Sequence, residues 1–221
     1  MHNHEGVEDS MKILRKSPHH RRGVAIVEFT FALVFLIPLL LGVFVFGFRL
    51  VRSLQMQQIV RDLGHMYIRG VNFRNPGPQQ NARTLAQSFD LSPGGQSLIV
   101  LSQIRILQQS DCDAANPASP GVACTNLNSP VFTEQLMIGN TSLAINGVRA
   151  RSAFGTPPLK ADCTVSSTNQ ANSQSAAAAF TPVMTLKAGE FAYVAEMITA
   201  TPALNIPGFS GSPQVYARAI F

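Results

Sequence analysis

A chain of 221 residues has room for a membrane segment and one modest domain. Only 13% of its residues are charged and the formal net charge is +5. Part of that excess sits at the N-terminal end, where Lys12, Arg15, Lys16, Arg21 and Arg22 stand against Glu5, Glu8 and Asp9. Too little positive charge remains for a nucleic-acid surface.

The first 23 residues are polar, with no hydrophobic face, and read as a leader and not as folded structure. His2, His4, His19 and His20 lack the helical spacing and the neighbouring Cys or acids that a metal site needs, so no metal is expected. From Val24 to Phe48 follow 25 residues with one charge, Glu28. A helix of about 20 apolar residues crosses a bilayer. A carboxylate in hydrocarbon costs about 2.5–3.5 kcal/mol on insertion scales, so Glu28 should have a partner. The basic residues before the run favour a cytoplasmic N-terminal end, although Arg49 and Arg52 just beyond it act against that bias. A secretory signal would have a shorter apolar core and small residues near a cleavage site, where this chain has Phe44, Phe46 and Phe48. An uncleaved signal anchor accounts for the basic flank and the span, but not for an acid placed five residues after Gly23. Pro38, near mid-run, removes one backbone hydrogen bond and is expected to kink the helix.

The stretch Arg22–Gly23, Val27–Glu28–Phe29, Pro38, Gly42 and Gly47–Phe48–Arg49 resembles the TadE-like pseudopilins of the tight-adherence (Flp) pilus system. The likeness covers about thirty residues. It departs from the family at Val45, where many members carry a second acid, and in the longer interval between Glu28 and Pro38. It implies that a prepilin peptidase cuts between Gly23 and Val24, making Glu28 the fifth residue of the mature chain. In pilins that Glu is thought to pair with the new N-terminal amine, within a subunit or across neighbours. The implied partners are the peptidase, other pilins and pseudopilins, the inner-membrane assembly platform and membrane lipids. The implied location is a bacterial inner membrane, crossed once, with the C-terminal head in the periplasm or carried out on the pilus.

Beyond Arg49, Leu50, Leu54, Ile59 or Val60, Leu63 and Met66 or Tyr67 recur every three or four residues, an amphipathic helix that continues the first or follows it closely. Residues 24–70 are thus expected to be transmembrane and stem helix, ended by Gly70 and the cluster Asn75–Pro76–Gly77–Pro78. Residues 71–221 form the expected head. A short helix is predicted over 79–90, strands over Leu98–Leu107, Val131–Ile138, Phe191–Thr201 and Val215–Phe221, and a strand or edge piece over Thr141–Val148. Residues 110–130 and 155–182 read as long loops, with Ala176–Ala179 as a possible helical turn; 204–213 reads as a turn-rich connector. Consecutive strands with short links predict an antiparallel sheet packed on the helix, an α+β, pilin-like head. Residues Glu190 to Pro202 loosely resemble the acidic late strand of TadE-like proteins.

Three cysteines, Cys112, Cys124 and Cys163, leave at least one outside any intrachain bond. Cys112–Cys124 is the simplest pairing in an exported domain; Cys124–Cys163 and three free thiols remain open. His65 is the one His beyond the leader and reads as a surface or packing residue. Asp111 and Asp113 fall short of a calcium loop and read as solvated. No nucleophile elbow, phosphate loop, Cys-x-x-Cys pair or His-Glu-x-x-His motif is present. The expectation is a non-enzymatic assembly protein without cofactor. A membrane-anchored binding or scaffold protein, never cut after Gly23, and an anchored enzyme with a degenerate site are the alternatives.

Overall fold

The computed structural model describes residues 19–201 and 214–221, with side chains from Gly23 onward. The expected leader before His19 and the connector at 204–213 lie outside the described residues. The chain divides into two compact units, residues 1–49 and 50–221.

Within the first unit the described chain is all helix. Helix α1 runs His19–Ile68, so it begins inside the segment expected to be an unfolded leader. The reason is local: adding a residue to an existing helix is easy compared with nucleating one, and Arg21 and Arg22 are good helix formers. Nearly every large apolar side chain from Val24 to Phe48 is exposed. A helix apolar on all sides needs an apolar medium or partner around it, and α1 is long and apolar enough to cross a membrane.

The second unit contains the last turns of α1, α2 (Pro76–Leu85), α3 (Gln109–Ala115), α4 (Ser167–Gln170) and six strands. Strands β1 (Ser97–Ile106), β2 (Pro130–Gly139), β5 (Phe191–Ala200) and β6 (Gln214–Ile220) form an antiparallel sheet in the order β2-β1-β5-β6. In register, Ile99 faces Ile138 and Met197, and Leu101 faces Leu136 and Ala195. These residues pack on Met56, Ile59, Val60, Leu63 and Tyr67 of α1. The buried stripe therefore starts at Met56, not at the expected Leu50 or Leu54, which are exposed. At 3.6 residues per turn, Leu54 lies about 200° around the helix from Met56.

The opposite face of the sheet is covered too. Ile104, Phe132, Ala192 and Val194 pack against Phe154, Val165, Phe180 and Leu186, while Leu98 and Val100 pack on Leu143. The 155–182 segment, mostly loop as expected apart from α4 and two short helical turns, thus forms with Phe154 and Leu186 a second layer on the sheet. It also closes the outer edge of β2: Gln135 donates its N–H to Cys163 O at 3.0 Å, and Val165 donates to Thr133 O at 2.9 Å. Burial on both sides explains why β1 reads as a continuous apolar run and not as an alternation.

Three local features differ from the sequence reading. Pro76 opens α2 instead of merely ending α1, because a first-turn residue needs no N–H. The expected strand at 141–148 is a two-residue hairpin, β3 (Ala144–Ile145) with β4 (Val148–Arg149), turning at Asn146 and Gly147 with φ of 52° and 76°. The expected 110–130 loop contains α3. Its first turn is held by Asp111, which accepts the Gln108 N–H at 2.9 Å and an Arg105 guanidinium N–H at 2.8 Å.

Candidate functional site

In the first unit, Gly23, Val24 and Glu28 all lie on α1, and all are exposed. A Cβ built on Gly23 would meet nothing within 4 Å, so the absence of a side chain there is not required by the fold. Val24 and Glu28 are four residues apart and share a helix face. Pro38 sits inside α1, and the helix runs through it. The arrangement places one carboxylate on an otherwise apolar cylinder.

In the second unit, Cys112 and Cys124 form a disulfide with Cα atoms 5.5 Å apart, packed with Leu107 and Val131; Cys163 is free and half-buried. His65 packs its ring on Phe221, with centroids 4.7 Å apart. Asp113 is not simply solvated. It accepts from Gln109 Nε2 at 2.9 Å and from the Gly121 N–H at 2.8 Å, and these bonds hold its carboxyl below the ordinary Asp range. Among the described residues no three His, Cys, Asp or Glu side chains gather as a metal site.

Two cavities bring together residues that the sequence had not singled out. The larger, about 720 Å³, lies under the β3–β4 hairpin and is lined by Arg149, Arg151, Ile198 and Tyr216. Tyr216 donates its O–H to Glu196 Oε1 at 2.6 Å, and the Ala153 N–H donates to the same oxygen at 2.9 Å. Glu196 is fully buried and opposes Arg218 across the β5–β6 pair. Burial and the facing carboxylate push the Tyr216 phenol pKa up. The smaller cavity, about 230 Å³, lies where the last turn of α1 meets the sheet; Tyr67, Arg74, Gln103, Glu134 and Tyr193 line it. Arg74 and Glu134 form a two-point pair, with Nε to Oε1 at 3.2 Å and Nη2 to Oε2 at 2.7 Å.

Compared with family models, curated proteins and solved structures, the chain matches none. Its function is therefore argued from its own residues. The smaller cavity carries no signal in sequence, because Gln103, Glu134 and Tyr193 lie on three strands far in the chain from the 67–74 segment they meet. The Asn146–Gly147 pair is the exception: it is a strong hairpin signal that marks the roof of the larger cavity.

Proposed function

We propose that this chain is a TadE-like minor pseudopilin, cut by a prepilin peptidase between Gly23 and Val24, that helps assemble a tight-adherence pilus and does no catalysis. The observation that carries the reading is the single carboxylate, Glu28, five residues past Gly23 on an apolar run of 25 residues. Cleavage would create an amine at Val24, one helical turn from Glu28 on the same face. Pairing the two offsets the desolvation of each charge and fixes axial register between subunits. The exposed apolar surface of α1 suits a membrane before assembly and neighbouring helices after it. The Cys112–Cys124 disulfide suits an oxidising compartment such as the periplasm for the head.

An uncleaved membrane anchor carrying a binding or scaffold head is the second reading. One observation favours it: α1 begins at His19 and crosses Gly23–Val24 without a break, which leaves the scissile bond inside a helix. Intact mass and N-terminal sequencing, with and without a cognate prepilin peptidase, separate the two. The pseudopilin reading expects a mature chain starting at Val24 and its loss in Gly23→Leu. A full-length chain under both conditions overturns it and leaves the anchor.

A further inference from the structure

The chain enters the second unit at Leu50, and one end of the four-stranded sheet lies beside this entry. Arg52 holds its guanidinium over the Phe89 ring, 5.9 Å from the centroid. From there backbone contacts cross the end of the sheet. Asp90 O accepts from the Ser97 N–H at 3.0 Å, Ser97 O accepts from the Asn140 N–H at 3.0 Å, and the Ala200 N–H donates to Gln96 O at 2.8 Å. Arg83 reaches this end by donating to Leu91 O at 3.0 Å, and Arg149 by donating to Thr141 O at 3.0 Å. Arg151 lines the cavity under the hairpin together with Arg149. The other end of the sheet lies by Tyr67 and His65, whose rings pack on Tyr193 and Phe221. The strands thus run along the last turns of α1, and the end at Ser97 is the one next to Leu50.

Charge is sorted between these ends. Arg52, Arg149 and Arg151 are exposed and Arg83 is half-buried. Among the described residues the ion pairs are Arg74–Glu134 and Arg105–Asp111, both towards the other end. The exposed acid near the four arginines is Asp90, which accepts from the Ser92 N–H at 3.0 Å. Glu196 is fully buried and opposes Arg218. Arg83 and Arg149 give N–H groups to carbonyls, which leaves their charge uncompensated. Apolar side chains stand exposed among them: Leu50 and Leu54 on α1, and Val148 on β4, 71% exposed. Arginine beside exposed aliphatic residues suits a lipid headgroup layer, where the carbon stem lies on apolar surface and the guanidinium meets phosphate. A hydrocarbon core of about 30 Å takes about 20 helical residues. With the 25-residue run that ends at Phe48 across a bilayer, Leu50 and Arg52 fall in the headgroup layer.

We propose that this end of the head docks on the anionic phospholipid headgroups of the membrane that α1 enters, with Arg52, Arg83, Arg149 and Arg151 meeting lipid phosphates. Charge and place select this occupant. Four arginines against one exposed acid favour a negative surface, and the bilayer around the preceding residues is the nearest one. Docking also takes Leu50, Leu54 and Val148 out of water. The inference rests on α1 spanning a bilayer, as the proposed function does, and not on cleavage at Gly23.

The test places the full chain in lipid nanodiscs of phosphatidylcholine, alone or mixed with phosphatidylglycerol, and follows amide exchange by mass spectrometry. Residues 83–92 and 141–151 should exchange more slowly in the anionic discs, while α3, at the other end of the sheet, should exchange equally in both. Salt at about 1 M, where the Debye length is about 3 Å, should erase the difference. One arginine near an anionic surface contributes about 1 kcal/mol, or about fivefold. Arg149→Gln with Arg151→Gln should therefore lower the ratio of docked to undocked heads about 25-fold, with the tyrosine-monitored unfolding midpoint unchanged. Arg149→Lys with Arg151→Lys keeps the charge and should dock like the parent. The proposal is overturned, with α1 still in the membrane, if the chain inserts in both discs and exchanges alike in them. It is overturned too if the Gln pair is slowed as much as the parent, or if the Lys pair loses docking with it. A chain that enters neither disc overturns the proposal and the membrane reading together. Poly-glutamate or inorganic phosphate added to phosphatidylcholine discs should slow neither segment. Equal slowing by poly-glutamate overturns the lipid assignment in favour of an acidic protein, and equal slowing by phosphate in favour of a soluble anion.

Discussion

Leu63→Ala and Leu54→Ala, two identical changes nine residues apart on one helix, should have very different effects on the head. Leu63 is 0% exposed, packed in the cluster that includes Ile99, Leu101 and Met197, whereas Leu54 is 56% exposed. A buried Leu→Ala change loses the transfer energy of the removed atoms and leaves a cavity, together about 3 kcal/mol. For a unit of this size that lowers the melting temperature by about 6–12 °C. Leu54→Ala, away from the core, should stay within about 0.5 kcal/mol. The assay is intrinsic fluorescence. The chain has no Trp and three Tyr, and Tyr67, Tyr193 and Tyr216 all lie in the second unit. Guanidinium unfolding of the full chain in detergent micelles, followed by tyrosine emission, therefore reports on the head alone. Equal midpoints for the two variants, or a loss under about 1 kcal/mol for Leu63→Ala, would refute the claim that the head's core includes α1.

Two further outcomes follow from the loop chemistry. Reducing the Cys112–Cys124 bond, or replacing Cys124 by Ala, opens a loop with a sequence separation of 12. In the chain-entropy model this costs about 3 kcal/mol, read as a fall in the thermal midpoint on adding reductant that the Cys124→Ala variant does not show. Asp113 has its pKa depressed by bonds from Gln109 and Gly121. The stabilisation is present above the ordinary Asp value of 3.8 and is lost as pH falls through the lower folded value. Protection of the Gly121 amide, its exchange measured against the intrinsic rate at each pH, should accordingly fall only in strong acid, and Asp113→Asn should abolish that pH response.

The four long strands were legible because each is a dense apolar run between Gly, Pro, Asn or Ser. Leu98 to Leu101 are buried residue after residue, as a strand covered on both faces requires, whereas the sequence reading placed a layer on one face alone. What covers the second face was not legible. Phe154, Val165, Phe180 and Leu186 are isolated apolar residues in a polar, low-complexity stretch with no period, and only the finished sheet gathers them. α3 was hidden for another reason: it is seven residues long, held by a capping box between Gln108 and Asp111 and by Arg105 of β1 reaching Asp111, within a stretch rich in Pro, Asn and Ala. The candidate cleavage site is the opposite case, since Arg22, Gly23 and Glu28 are neighbours in the chain and need no tertiary contact to be seen. The smaller cavity joins the 67–74 segment to Gln103, Glu134 and Tyr193 on three different strands, a meeting that no sequence displays.

The two halves of α1 obey different rules, and this makes their roles separable by experiment. From Val24 to Phe48 the large apolar side chains are exposed, so a lipid phase or partner helices must supply their apolar surroundings. From Met56 to Tyr67 the apolar stripe is buried by the chain's own sheet. A substitution in the first half, such as Glu28→Gln, therefore leaves the head's melting curve unchanged and acts only on processing, insertion or association. A substitution at Met56, Val60 or Leu63 acts first on folding, and any assembly defect it causes must scale with the loss of stability. If Glu28→Gln abolished pilus assembly while the head melted normally, assembly would depend directly on the carboxylate; if both failed together, α1 would be a structural element throughout.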